Sequence, residues 1–83
     1  MVSTHDERYQ RFLLRLREAR IRTGLTQLDV ARLLGKPQSY ISRCESGERR
    51  LDIIEVAELA AAYHLSLEDL VPDDNGVGPR GPA

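Results

Sequence analysis

Four times along its 83 residues the chain sets a Thr, Asp or Ser three positions ahead of an acid, at the head of an apolar-periodic run. The pairs are Thr4 with Glu7, Thr26 with Asp29, Asp52 with Glu55, and Ser66 with Asp69. This spacing is that of the capping box. The first side chain accepts a hydrogen bond from an orphan amide of the first helical turn, and the acid reaches back to the cap while sitting at the positive end of the helix dipole. Breakers fall where such helices would have to stop, at Gly24, Gly35, Gly47 and Pro72. Helices are therefore predicted at 5–23, 27–34, 38–45, 53–63 and 67–71. No segment alternates with period two for long enough to form a strand, so the fold class is all-α.

The apolar spacing agrees. Phe12, Leu13, Leu16, Ala19 and Thr23 fall on one stripe of the first helix, opposite Arg11, Arg15, Glu18 and Arg22. Ile53, Val56, Ala57, Ala60 and Tyr63 form the stripe of the fourth. The predicted core comprises Leu13, Leu16, Leu25, Val30, Ala31, Leu34, Ile41, Cys44, Val56, Leu59, Ala60, Leu65 and Leu70. A chain of this length makes one domain. Residues 1–8 read as an N-terminal extension with the start of the first helix, and 9–72 as the helical domain. Residues 73–83, rich in Gly, Pro and Asp and without an apolar face, read as a disordered tail.

With Cys44 as its one cysteine, the chain has no disulfide to staple it, which points to a reducing compartment. It has no apolar run of membrane-spanning length and no start resembling a signal peptide. A soluble cytoplasmic protein is expected, with no membrane partner. Two histidines and one cysteine, on separate helices and without partners at ligand or triad spacing, make neither a metal site nor a catalytic one. The expectation is a protein without enzymatic activity, cofactor or metal.

The stretch TQLDVARLLGKPQSYISRCESG, Thr26–Gly47, carries the function. It reads as helix, tight turn at Gly35, helix. Val30, Ala31 and Leu34 can meet Ile41 and Cys44, with the small Ala31 permitting a close crossing. This is the helix-turn-helix arrangement, whose second helix enters the major groove of DNA. If Ile41 and Cys44 face inward, the 3.6-residue period puts Gln38, Ser39, Ser42 and Arg43 outward, with Tyr40 on the flank. That face holds amides, hydroxyls and a guanidinium, and no acid. Gln suits the N6/N7 edge of adenine, Arg the O6/N7 edge of guanine, and Ser either. The net charge of −1 is not that of a basic DNA-binding chain, but its distribution is uneven. Residues 1–51 carry eleven Lys/Arg against six Asp/Glu, and residues 52–83 one Arg against seven acids. The chain thus has an anion-facing part and a part turned away from anions.

From Phe12 to Leu70 the sequence resembles the Xre family, the Cro- and phage-repressor-type helix-turn-helix domains. The matching residues are Arg20, Gly24, Thr26-Gln27, Val30-Ala31, Leu34-Gly35, Gln38-Ser39-Tyr40-Ile41-Ser42, Glu45, Gly47, and Leu65-Ser66-Leu67 through Leu70. The resemblance implies a compact, lambda-repressor-like bundle of five helices and a sequence-specific transcription regulator of double-stranded DNA. Residue by residue, it implies base reading by Gln38, Ser39, Ser42 and Arg43. It implies phosphate contacts from Thr26 and Gln27 at the start of the second helix, from Tyr40 (which could instead touch a thymine methyl), and from Arg49 and Arg50 in the following loop. It also implies a structural ion pair between Arg20 and Glu45. Two positions depart from the pattern. Cys44 stands where an aliphatic core residue is usual and is read as a small hydrophobe. His64 stands where a glycine commonly ends the fourth helix and is read as a cap, since His tolerates the left-handed conformation better than most residues.

A single recognition helix of about eight residues spans roughly 12 Å and reads few base pairs. A homodimer on a palindromic operator is therefore expected. The dimer contact is placed in the acidic C-terminal part, at Ile54 and Val71, with Leu51 and Ala61 nearby. The alternative is an antitoxin-like or other protein-partner-binding module on the same fold, using that same apolar surface.

Overall fold

The computed structural model describes residues 6–72; Thr4 and the tail from residue 73 lie outside the described residues. Five helices follow in order: α1 Glu7–Arg22, α2 Gln27–Leu34, α3 Gln38–Ser46, α4 Ile53–Ala62 and α5 Leu67–Leu70. No strand occurs among the described residues. Each predicted helix is present, with ends shifted by no more than two residues.

Three of the caps sit at the expected positions. The Thr26 hydroxyl accepts from the Asp29 amide at 3.0 Å while Asp29 accepts from the Thr26 amide at 2.9 Å. Asp52 and Glu55 do the same at 2.8 and 3.0 Å. The Asp69 carboxylate accepts from both the amide and the hydroxyl of Ser66. The first cap differs from the Thr4–Glu7 expectation. Asp6 caps α1, accepting from the amides of Arg8 at 2.8 Å and Tyr9 at 3.3 Å. A carboxylate adjacent to the first helical residue reaches these amides, and those bonds hold the Asp6 carboxyl below its usual range. At the end of α4, His64 takes φ 59°, the one positive-φ non-glycine among the described residues. The chain then turns back, with the Leu65 amide donating to the Ala60 carbonyl at 2.9 Å.

The core collects Phe12, Leu13, Leu16 and Ala19 from α1, Val30 and Ala31 from α2, Ile41 and Cys44 from α3, Leu59 and Ala60 from α4, Tyr63, and Leu70. Leu25, Leu34, Val56 and Leu65, expected in the core, are partly buried against its edge, because they stand at the ends of helices or in connections. Thr23 is exposed, and its hydroxyl donates instead to the carbonyls of Ala19 and Arg20. Ile53, expected on the buried stripe of α4, is 63% exposed. Burial rises along that stripe from Ile53 through the partly buried Val56 and Ala57 to the buried Ala60 and Tyr63. The first turn of α4 therefore overhangs the core, and correct periodicity does not guarantee a partner there.

Two contacts close the bundle. The Arg15 guanidinium donates to the Val71 carbonyl at 3.0 Å, supplying the end of α5 with a donor. The Tyr9 hydroxyl accepts from the Leu51 amide at 3.2 Å, which ties α1 to the segment before α4.

Candidate nucleic-acid interface

The site is built on the crossing of α2 and α3. After α2, Gly35 adopts the left-handed conformation at φ 67°, a backbone shape that L side chains rarely take. The Lys36 amide then donates to the Ala31 carbonyl at 2.9 Å. Pro37, extended at φ −69° and ψ 153°, starts α3. This short connection packs α2 against α3, where Val30, Ala31, Ile41 and Cys44 are each at most 2% exposed.

Inward Ile41 and Cys44 settle the remaining rotation of α3. Gln38, Ser39, Ser42 and Arg43 are all exposed and share the outer surface of one helix. Burial pushes the Cys44 thiol up, away from the thiolate. Ser46 and the loop beyond it end the helix firmly. The Ser46 hydroxyl and the Arg49 amide both donate to the Arg43 carbonyl, at 3.2 and 3.0 Å.

Beneath this face, Arg20 and Glu45 meet in a two-pronged ion pair. Arg20 Nε donates to Glu45 Oε2 at 2.6 Å and Nη2 to Oε1 at 3.1 Å, with side chains 12% and 6% exposed. Arg20 Nη1 also donates to the Leu25 carbonyl at 3.0 Å. The pair thus joins α1, the α1–α2 connection and the end of α3. Gln27 belongs to this network too. Its side-chain amide donates to Glu45 Oε1 at 3.0 Å, so the side chain expected at a phosphate is turned to the ion pair.

Tyr40, expected to touch a phosphate or a thymine methyl, has its hydroxyl turned inward. That hydroxyl is buried and has no hydrogen-bond partner among the described residues, and burial raises the phenol to about 12. Two cations lie over the ring: Lys36 Nζ at 5.1 Å and Arg49 Cζ at 4.9 Å from its centroid. The two loop arginines, expected as a pair of phosphate clamps, divide. Arg49 is held by Glu55 through two bonds of 2.9 and 2.8 Å. That guanidinium holds the Glu55 carboxyl at about 2. Arg50 is exposed, its guanidinium 4.2 Å over the Tyr9 ring. Lys36, the Tyr9 platform and Glu55 were not legible as parts of the site. Lys36 and Tyr9 carry no motif, and Glu55 read only as half of a capping box.

Ile54 is 66% and Val71 60% exposed. Ala61 is also exposed, whereas Leu51 is partly buried against the core. Among the described residues no helix is long and apolar enough to cross a membrane, and no cluster of His, Cys, Asp and Glu could hold a metal ion.

Known proteins agree with this geometry. A family model described as helix-turn-helix matches residues 16–70. An XRE-family like protein from Pseudomonas syringae pv. tomato str. DC3000 is similar at 42% identity and a TM-score of 0.73, covering 80% of this chain and 82% of that one. The restriction-modification controller protein C.AhdI from Aeromonas hydrophila is similar at 35% identity and a TM-score of 0.67, covering 72% of this chain and 91% of that one. No curated protein matches the chain significantly. The all-helical fold, the α2–α3 crossing and these matches place the chain in the Xre family of helix-turn-helix DNA-binding regulators.

Proposed function

We propose that the protein is a sequence-specific transcription regulator that lays α3 in the major groove of an operator. The observation that carries this is the outer face of α3. Gln38, Ser39, Ser42 and Arg43 are exposed together on a helix whose opposite side is locked into the core, and no acid interrupts them. These groups have the donors and acceptors that base edges require. The start of α2, at Thr26 and Gln27, supplies a helix amide end suited to phosphate, and Arg50 supplies charge from the loop beyond α3. The likeness to a restriction-modification controller at 35% identity supports regulation as the role.

A homodimer completes the reading. Ile54 and Val71 form its apolar contact, and the operator is a near-palindrome with half-sites about 10 bp apart or a multiple of that. The exposure of both side chains supports this contact. So does the Arg15 bond that anchors the Val71 backbone while leaving its side chain outside. Selection of bound duplexes from a random pool tests the reading, since it yields operator sequence and half-site spacing together. Gln38→Ala or Arg43→Ala should then relax preference at one position per half-site, costing about 1–3 kcal/mol. Unselective retention of duplexes by the wild type would defeat the proposal. Sedimentation of Ile54→Asp tests the dimer: the wild type should sediment as a dimer and the variant as a monomer.

A further inference from the structure

The cations around Tyr40 are unequal, and the inequality assigns them different work. Lys36 Nζ and Arg49 Cζ both lie within 5.1 Å of one ring centroid, so two positive charges are gathered at the N-terminal half of the recognition helix. Two cations over one ring carry like charge, and a carboxylate beside one of them offsets part of it. Arg49 is compensated. Glu55 takes two of its donors at 2.9 and 2.8 Å, and Glu55 is itself fixed as the reciprocal cap of α4 through the Asp52 amide. The Arg49 backbone is equally committed, its amide donating to the Arg43 carbonyl at 3.0 Å. Lys36 has no carboxylate partner among the described residues and stands exposed in the turn directly before Gln38.

We propose that Lys36, steadied over the Tyr40 ring, is a DNA-phosphate contact of this protein, and that Arg49 is a positioning residue whose charge is spent on Glu55. This rests on the DNA-binding reading above. The physical grounds are three. A helix inserted in the major groove has sugar-phosphate strands beside it, so a cation in the preceding turn stands near a backbone. A lysine resting on an aromatic face keeps its charge while losing part of its freedom, which lowers the ordering cost of meeting a phosphate. A guanidinium bound at two donors by a carboxylate has its charge largely neutralised at that side chain, so it attracts a phosphate less than an unpaired cation does. Tyr40 thus links the turn before α3 to the loop after it, and through Arg49–Glu55 to the start of α4.

The test measures the salt dependence of binding to two probes, a random-sequence duplex and a duplex carrying the selected operator. Lys36→Ala should weaken binding to both and reduce the slope of log K against log salt by about 0.9 per protomer, so that between 50 and 200 mM salt its deficit shrinks about 3.5-fold per protomer and about twelvefold for a dimer. Base preference should not change, Lys36→Arg should restore the slope, and thermal melts should match the wild type because Lys36 is exposed. The charge-neutral replacement of the pair, Arg49→Gln with Glu55→Gln, should keep the wild-type slope while loosening the loop, seen as faster amide exchange at Glu48–Leu51. An unchanged slope in Lys36→Ala overturns the assignment of Lys36. A slope reduced by one phosphate in the double variant overturns the assignment of Arg49. If the wild type binds neither duplex in a salt-dependent way, the DNA-binding reading itself falls and this inference falls with it.

Discussion

Replacing Glu45 by Ala should cost far more than loss of a surface ion pair. The Glu45 carboxylate accepts from Arg20 Nε at 2.6 Å, Arg20 Nη2 at 3.1 Å and Gln27 Nε2 at 3.0 Å, and both members of the ion pair are nearly covered. Alanine leaves Arg20 with its bond to the Leu25 carbonyl but two donors stranded, and leaves the Gln27 amide without this acceptor. Breaking a buried pair at one end costs about 3–5 kcal/mol, against about 0–1 kcal/mol for an exposed pair. The total stability of a domain this size is roughly 4–12 kcal/mol, so the loss consumes a large share of it. At about 4–8 °C per kcal/mol, Tm should fall by at least about 12 °C. The assay is a double-mutant cycle with Arg20, read by thermal and urea melts. Arg20→Leu with Glu45→Leu should be much less destabilised than the sum of the single changes, because removing both charges strands neither. The effect of Glu45→Ala should also persist at high salt, since a covered pair is weakly screened. A loss under 1 kcal/mol, or additive singles, would refute the argument that desolvation makes this pair indispensable once formed.

Other changes probe separate parts of the structure. Ile41→Ala deletes methyl groups at the α2–α3 crossing, where Ile41 is 1% exposed, and should cost about 2–5 kcal/mol in denaturant melts. Tyr63→Phe should hold stability or raise it by about 1 kcal/mol. The Tyr63 hydroxyl is buried without a partner among the described residues, and the phenyl ring keeps the packing. The Glu55 carboxyl sits at about 2 when folded and near 4.5 when unfolded, so its contribution is complete above about pH 5 and is lost as pH falls towards 2. In Arg49→Gln, an NMR titration of the Glu55 carboxyl should move up towards the ordinary range, and the acid limb of the stability profile should flatten.

Local chemistry was enough to predict the helices and where they begin. Thr26–Asp29 and Asp52–Glu55 form reciprocal caps as their spacing requires, and His64 takes the left-handed backbone expected of it. These features act within one turn, so three or four consecutive residues contain all the information. The first cap is Asp6, directly before Glu7, because a carboxylate there reaches the amides of the first turn, a local option that the Thr4–Glu7 spacing does not reveal. The outer face of α3 was legible too, because once Ile41 and Cys44 point inward the helical period determines the rest.

What the tertiary structure decided is the use of the long polar side chains. Gln27, Tyr40 and Arg49 are expected at DNA, and Arg15 on the outer face of the first helix. In the structure Gln27 is turned to Glu45, Arg49 to Glu55 and Arg15 to the Val71 carbonyl, and two cations lie over the Tyr40 ring. Such side chains reach several ångströms from their backbone, and the partner they find depends on which elements meet across the fold. Ile53 makes the same point for apolar residues, since its place on the stripe followed from periodicity but its burial depended on whether a neighbour extends that far. By itself, therefore, the sequence determined the elements, most of their ends and the exposed face of α3, all consequences of short-range backbone hydrogen bonding and a fixed period. Which cations are paired with a carboxylate was decided only by packing, because pairing a charge requires a partner brought from elsewhere in the chain.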